Sequence, residues 1–316
     1  MTPPAREAYR DLLVKLMADD PRLYCLDSDT GLFAGVDFGV AAGRYVNLGI
    51  AEHNLMGVAA GLAASGKIPF VNTMATFATT RALESLKVDI AYSGLPVRIA
   101  ATHSGLSAGH LGPTHHALED LAIMRALPGF TVVTPADATA AEEAVAQSVD
   151  LPGPVYLRLG RKATPPLEAG PTVLGRAQRL RDGADLTLLA CGPHPVLACL
   201  RAADLLAADG VEVTVVNVHT LKPLDVEAVV AACTGVPVIT VEEHWRTGGL
   251  GGAVAETLSE HAPTRVARIG MPDTFAKVVG GQEHLLEHYG ITGERIAAPA
   301  LSLLGGTPDD PDLSRV

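Results

Sequence analysis

The chain has 316 residues, 48% of them hydrophobic and 4% aromatic, with a formal net charge of −11. That length suffices for two domains with cores of their own. The acidic balance excludes the basic surface that non-specific nucleic-acid or anionic-membrane binding needs, though not a locally basic site for a small anion. No apolar run approaches the roughly 20 residues of a membrane span, and the start MTPPAREAYRDLL lacks the apolar centre of a signal peptide. A cytoplasmic protein is expected. The cysteines Cys25, Cys191, Cys199 and Cys233 form no CxxC pair and sit among apolar or small residues, as buried free thiols of a reducing compartment do.

In chain order, apolar periodicity alternates between helix and strand. Leu12, Leu13 and Leu16 mark a helix over Pro4–Met17. Leu23–Leu26 is a short strand that empties into the polar loop Asp27-Ser28-Asp29-Thr30-Gly31. Tyr45–Leu48 is a strand, Asn54–Ser65 a helix, Ile68–Asn72 a strand and Ala78–Ser93 a long helix. Val97–Thr102 is a strand that opens into a loop rich in histidine and glycine. Leu118–Ala126 is a helix, Phe130–Thr134 a strand, Ala138–Ser148 a helix and Val155–Leu159 a strand. The proline-rich stretch Ala163–Pro171 reads as an interdomain linker. Strands follow at Leu186–Ala190, Val211–Val218, Val236–Glu242 and Thr264–Ile269, with helices at Pro195–Asp209, Asp225–Cys233 and Gly248–His261. The tail from Gly305 onward is expected to be disordered. The pattern predicts an α/β protein of two domains, residues 1–162 and 172–304, each a mostly parallel sheet flanked by helices.

The polar chemistry is concentrated between Tyr45 and Glu119, in YVNLGIAEHN, PFVNTMATFATTR and ATHSGLSAGHLGPTHHALED. Glu52 stands at the mouth of a helix whose Gly57, Ala60, Gly61 and Ala64 let another helix approach closely. A carboxylate at such an interface would be desolvated and partly protonated; a solvated helix-start glutamate is the plainer reading. Phe77, at a helix start, is by itself as well explained by a core position. His103, His110, His115 and His116 share a loop with Gly105, Gly109 and Gly112, leaving the carboxyl end of a strand, where open α/β sheets bind ligands. Their spacing fits no common zinc pattern, and no metal is expected on this chain. Arg158 points away from the face shared by Val155, Leu157 and Leu159. Contact with an anion and a structural ion pair are both open for it.

Together these segments resemble the pyrimidine-binding half of a thiamine-diphosphate enzyme, specifically the C-terminal part of a transketolase. GIAEHN is similar to the family's GIAEQN, TMATFATTRALE to STFAIFATGRAYE, and THSGLSAGHLGPTHHALED to THxGLxxGEDGxTHQALED. VEEHWRTGGLGGAVAE is similar to VEEHxxxGGLGxAVAE, and PVYLRLGR to a segment that contacts phosphate or carboxylate. The resemblance implies that Glu52 hydrogen-bonds the pyrimidine N1′ of thiamine diphosphate and that Phe77 stacks on the ring. Met74 lines the wall where the family has an aromatic, and Asp29 lies on the cofactor side. His103 and His115 would orient and protonate substrate oxygens, while Arg158 and Arg6 would hold an anionic end. His110 and Leu111 stand where the family has Glu-Asp, so an ordinary pentose-phosphate acceptor is not implied. A phosphate-binding reading of the glycines at 248–252 is weaker than an assembly role, and His244 is expected to be structural or near the rim.

The family holds Mg²⁺ and diphosphate with a GDG segment followed by Asn, and this chain has no GDG. The resemblance therefore implies the second subunit of a split transketolase, working with a partner that carries the GDG…Asn site in a heterotetramer with a homodimeric core. The implied reaction moves a two-carbon ketol unit from a ketose phosphate to an aldehyde. The alternatives are an acyloin-forming carboligase, an enzyme like 1-deoxyxylulose-5-phosphate synthase taking a pyruvate-type donor, and a non-catalytic stabilising subunit.

Overall fold

The computed structural model describes residues 2–305. It holds two α/β domains built on two sheets. In chain order the strands of the first are β1 (Leu23–Asp27), β2 (Tyr45–Asn47), β3 (Ile68–Met74), β4 (Arg98–Thr102), β5 (Thr131–Val133) and β6 (Val155–Arg158). The second half contributes β7 (Gln178–Arg181), β8 (Leu186–Cys191), β9 (Val213–Asn217), β10 (Thr220–Lys222), β11 (Val238–Trp245) and β12 (Val266–Met271). The seven-stranded sheet runs β10-β5-β6-β4-β3-β1-β2 and the five-stranded sheet β12-β11-β8-β9-β7. Pairing is parallel except for β10 on β5 and β7 on β9. The central strands β4, β6 and β8 are buried along their whole length, as parallel strands covered on both faces are.

Parallel pairing fixes where the site lies. Asp27 is in register with Asn72, Met74 with Thr102, and Ala101 with Arg158. The carboxyl ends of β1, β3, β4 and β6 therefore meet at one edge of the sheet, and the loops that leave them converge there. Helix α1 (Ala5–Asp19) buries Tyr9, Leu13 and Met17 and packs against the helix Ala138–Ser148. Helix α2 (Glu52–Ala64) buries Leu55, Met56, Ala59 and Ala63.

The long helix expected over Ala78–Ser93 is broken. Helix α3 (Ala75–Thr80) is followed by one turn at Leu83–Ser85 and a π-helical segment at Leu86–Tyr92. The cause lies in the two threonines: Thr79 Oγ1 donates to the Ala75 carbonyl at 3.0 Å and Thr80 Oγ1 to that of Thr76 at 2.6 Å, a back-bonding that competes with regular helix. Strands β7 and β10 and the helices Gln282–His288 and Gly293–Leu304 were not expected from the sequence. Of the expected tail only Gly305 is described, as the cap of the last helix, its N–H donating to Leu301; residues 306–316 lie outside the described residues.

Strand β10 and the linker both join the domains. Strand β10 adds an antiparallel edge to the first sheet, and Lys222 Nζ donates to the carbonyl of Arg125 at 2.9 Å. Residues 163–171 hold neither helix nor strand, yet they are tied down: Leu167 N–H donates to Asp137 Oδ2 at 2.7 Å, and the Gly170 carbonyl accepts from Gln178 Nε2 at 2.7 Å. No helix among the described residues is long and apolar enough to cross a membrane.

Candidate functional site

Glu52 is the first residue of α2, and its side chain is 4% exposed. Phe77, half-buried in α3, faces the same space. Between them lies Arg81, one helical turn beyond Phe77. Its Nη1 stands 3.3 and 3.2 Å from the two Glu52 carboxylate oxygens, and its guanidinium carbon lies 3.9 Å from the centre of the Phe77 ring. A planar group bearing N–H donors is thus stacked on an aromatic face and hydrogen-bonded to a buried carboxylate at the same time. The His115 ring meets the Phe77 edge at 5.2 Å and 76°. Met74, at the end of β3, is half-buried one residue before α3.

The histidine loop leaves β4 and folds inward. His103 has φ +55, a left-handed conformation rare outside glycine. It is 9% exposed, and its Nδ1 lies 3.1 Å from the Thr102 hydroxyl, which leaves Nε2 for a ligand. Burial, and then the charges of Arg6, Arg161 and His115, push its pKa down to about 4, so the imidazole is neutral near pH 7. His116 is buried, with Nε2 at 3.3 Å from the Gly109 carbonyl, and burial lowers its pKa as well. His110 and Leu111 occupy the outer turn of the loop; Leu111 is 52% exposed. Asp29, in a left-handed conformation at φ +63, is exposed and accepts from Asn47 Nδ2 at 3.0 Å.

The loop is braced by the second domain. A Cβ on Gly105 would stand 2.6 Å from the Glu243 carboxylate, and one on Gly109 2.5 Å from the Gly280 carbonyl. Those approaches require glycine. Glu243 accepts from Leu106 N–H at 2.6 Å and from Gln282 Nε2 at 2.9 Å. Its neighbour Glu242 accepts from Leu250 and Gly251 N–H at 2.7 and 2.9 Å, capping the helix Leu250–His261. That helix N-terminus already holds a carboxylate, which removes the phosphate-binding reading of the glycines there. His244 is buried with Nε2 3.3 Å from Ala122 N–H, a structural contact between the domains.

Arg158 does not meet the expectation of an anion contact. It is 3% exposed, with Nε and Nη2 on Asp120 at 2.7 and 3.0 Å and Nη2 also donating to the Ala117 and Glu243 carbonyls. Tyr156 donates to the same Asp120 carboxylate at 2.8 Å. Because β6 is buried on both faces, pointing away from the leucines means pointing into protein. Arg161, three residues on and past the strand end, is exposed, and its charge acts on both Arg6 and His103. Arg6, in the first turn of α1, has its pKa lowered by burial and then by Arg161, and its buried Nε has no hydrogen-bond partner among the described residues. Two guanidinium groups and a neutral imidazole therefore share one region, with a buried donor unsatisfied. The sequence signal for Arg161 was present in LRLGR, but register alone could not say which arginine leaves the sheet.

Two family models cover nearly the whole chain: the transketolase pyrimidine-binding domain matches residues 2–166 and the transketolase C-terminal domain residues 175–296. The chain belongs to the transketolase family. Among curated relatives, the 6-deoxy-6-sulfo-D-fructose transketolase subunit SqwH of Clostridium sp. (strain MSTE9) is 40% identical over 301 residues, 93% of this chain and 92% of its own. An apulose-4-phosphate transketolase subunit of Phocaeicola vulgatus is 41% identical over 307 residues, 95% and 97% of the two chains. A solved structure described as a split gene transketolase, inactive beta4 tetramer, superposes with a TM-score of 0.86 at 42% identity, covering 96% of this chain and 99% of that one. The match thus extends over nearly the whole length of chains named as transketolase subunits or as a split gene transketolase. Membership implies use of thiamine diphosphate through the pyrimidine-binding domain. The residues present fit its pyrimidine, because the Glu52 carboxylate and the Phe77 face already hold a planar N–H-bearing group together.

The lowered pKa of His103 has a consequence for stability. An unfolded histidine titrates near 6.5, so between about pH 6.5 and 4 the unfolded chain binds a proton that folded His103 refuses. Its contribution is fully present above pH 6.5 and is lost as pH falls toward 4. The urea midpoint of the wild type is expected to drop between pH 7 and 5 more steeply than that of His103→Asn. Equal drops would mean that His103 is not desolvated.

Proposed function

We propose that this chain is the pyrimidine-side subunit of a two-chain transketolase that transfers a two-carbon ketol unit from an anionic ketose to an aldehyde. The observation that carries the reading is that one planar group bridges the buried Glu52 carboxylate and the Phe77 ring: the Arg81 guanidinium lies 3.9 Å from the ring centre and its Nη1 3.2 Å from the carboxylate. When bound, thiamine diphosphate supplies the nucleophilic carbon and the electron sink for cleaving the bond next to the ketone. Glu52 would share a proton with a pyrimidine nitrogen and Phe77 would hold the ring plane, with Met74, half-buried at the end of β3, lining the wall. His103, kept neutral, donates to or accepts from a substrate hydroxyl at Nε2, and His115 does so from the Phe77 side. Diphosphate and Mg²⁺ would be held by a partner subunit that carries the GDG…Asn pattern; the lack of a GDG in this sequence and the naming of the relatives as transketolase subunits support that reading.

The anionic end of the substrate belongs to Arg6 and Arg161 rather than to Arg158. Arg6 Nε is buried with no hydrogen-bond partner among the described residues, Arg161 repels it, and the Glu7 carboxylate approaches Arg6 Nη2 only at 3.9 Å, so a substrate anion would complete the region. The substrates named for the two relatives carry, respectively, a sulfonate and a phosphate, which a pair of arginines holds equally well.

With a GDG-bearing partner present, Glu52→Gln is expected to lower kcat by two to four powers of ten, the range of general acid–base catalysis, with assembly intact by size-exclusion chromatography. Wild-type chain alone is expected to turn over nothing. Full activity without a partner would refute the two-subunit reading, and wild-type rates from the variant would remove Glu52 from the mechanism.

Arg161→Ala is expected to raise KM for a phosphorylated ketose donor by about 10- to 100-fold, the worth of one charge-assisted hydrogen bond. KM for a neutral donor such as erythrulose should stay near the wild-type value. An equal change for both donors would place Arg161 outside the anion site.

Leu111, apolar on the outer turn of the histidine loop, favours an acceptor with fewer or rearranged hydroxyls. Leu111→Asp is expected to shift kcat/KM toward ribose 5-phosphate over a deoxy or branched aldehyde by roughly 2- to 10-fold, the net worth of one hydrogen bond at a half-exposed position. An unchanged ratio would show that residue 111 does not face the acceptor.

A further inference from the structure

We propose that Arg81 is a displaceable stand-in for the cofactor's aminopyrimidine, covering Glu52 and Phe77 until the cofactor takes its place. The inference rests on the cofactor reading above and goes beyond it in giving the chain a built-in competitor for its own ligand. The geometry is specific. The guanidinium carbon lies 3.9 Å from the Phe77 centroid, which is stacking contact, while Nη1 reaches both Glu52 oxygens at 3.3 and 3.2 Å. A flat, delocalised, N–H-bearing group offers the two things an aminopyrimidine offers, a π-face and a hydrogen-bond donor edge. Two such groups cannot lie on one face of one ring, so a heterocycle stacked on that face of Phe77 requires Arg81 to leave.

Arg81 can leave. Its side chain is 49% exposed while that of Glu52 is 4% exposed. The arginine follows the last residue of the short helix α3, beside the break at Thr79 and Thr80, and its long stem lets the head swing into water. Its guanidinium is held by Glu52 and Phe77, without the cage of buried carbonyls and carboxylate that fixes Arg158. The reason for such a residue is also physical. A buried carboxylate without a partner is costly, and the pyrimidine side would carry one whenever the cofactor is away. Arg81 removes that cost by an i,i+4 arrangement that places its head on the Phe77 ring of the preceding turn. The consequence is that only the fraction of molecules with Arg81 swung out is ready to bind, and apparent affinity falls by that fraction.

The test is calorimetric titration of thiamine diphosphate, with Mg²⁺, into the complex of this full chain with its GDG-bearing partner. Arg81→Ala is expected to tighten Kd by about tenfold, or about 1.4 kcal/mol. Arg81→Lys, which keeps a charge for Glu52 but not the flat stack, should fall between. Removing a merely structural partner of Glu52 would loosen binding or leave it unchanged, so either result overturns the proposal while leaving the cofactor reading intact. Failure of Arg81→Ala to assemble with the partner would likewise make Arg81 a structural pair and overturn it. A wild-type complex that binds no thiamine diphosphate would overturn both readings.

Discussion

The buried ion pair between Arg158 and Asp120 is the point at which the structure is tied together. Asp120 opens the helix that follows the histidine loop, and Arg158 ends β6, the neighbour of the central strand β4 in the first sheet. The same guanidinium donates to the carbonyl of Ala117, which closes the loop on Gly105, and to that of Glu243, which belongs to the second domain. Burial alone would lower the arginine's pKa. Asp120, by charge and by hydrogen bonds, outweighs it and raises the pKa of the guanidinium above its ordinary value. Removing one partner of such a pair costs about 3–5 kcal/mol, because a charge is left buried alone. The loop that carries His103 and His115 can therefore fold inward only while sheet, loop and second domain are joined at this residue.

Glu243 extends the same logic. Its carboxylate takes the Leu106 N–H of the loop, and its carbonyl takes Arg158. With Glu242 capping the next helix and His244 meeting Ala122, the run Glu242-Glu243-His244 makes three contacts of three kinds from one strand end. The second domain thereby acts on the chemistry from behind, by fixing a loop whose own glycines allow many conformations.

Much of this was legible in the sequence, for reasons that can be named. Alternating strand and helix patterns fix a parallel sheet, and a parallel sheet gathers the ends of its strands at one edge. That is why Glu52, Phe77, His103 and His115, separated in sequence, come together. Arg158 shows where legibility stops. Strand alternation gives the side on which it lies, but a strand buried on both faces has no solvent side, and only Asp120, a residue of a distant helix, decides what it meets. Arg161 was hidden for the complementary reason, since the position at which β6 ends is set by pairing to β4 and not by local propensity. Strand β10 was invisible because its partner lies across the domain boundary, where no local pattern reports it.

Electrostatics also ties together the region of Arg6, Arg161 and His103. Arg6 and Arg161 repel each other inside a chain of formal net charge −11, and that proximity is maintained by the fold alone. A third positive charge on His103 would worsen the repulsion, and burial together with the two arginines holds that imidazole neutral, with its pKa pushed to about 4. A neutral imidazole can both give and accept a proton at Nε2 beside a tethered anion, whereas an imidazolium could only donate. Burial first, and then the same two arginines, keep the histidine neutral; under the function proposed above, the charge that would draw an anion in and the neutrality that would handle its hydroxyl are one arrangement.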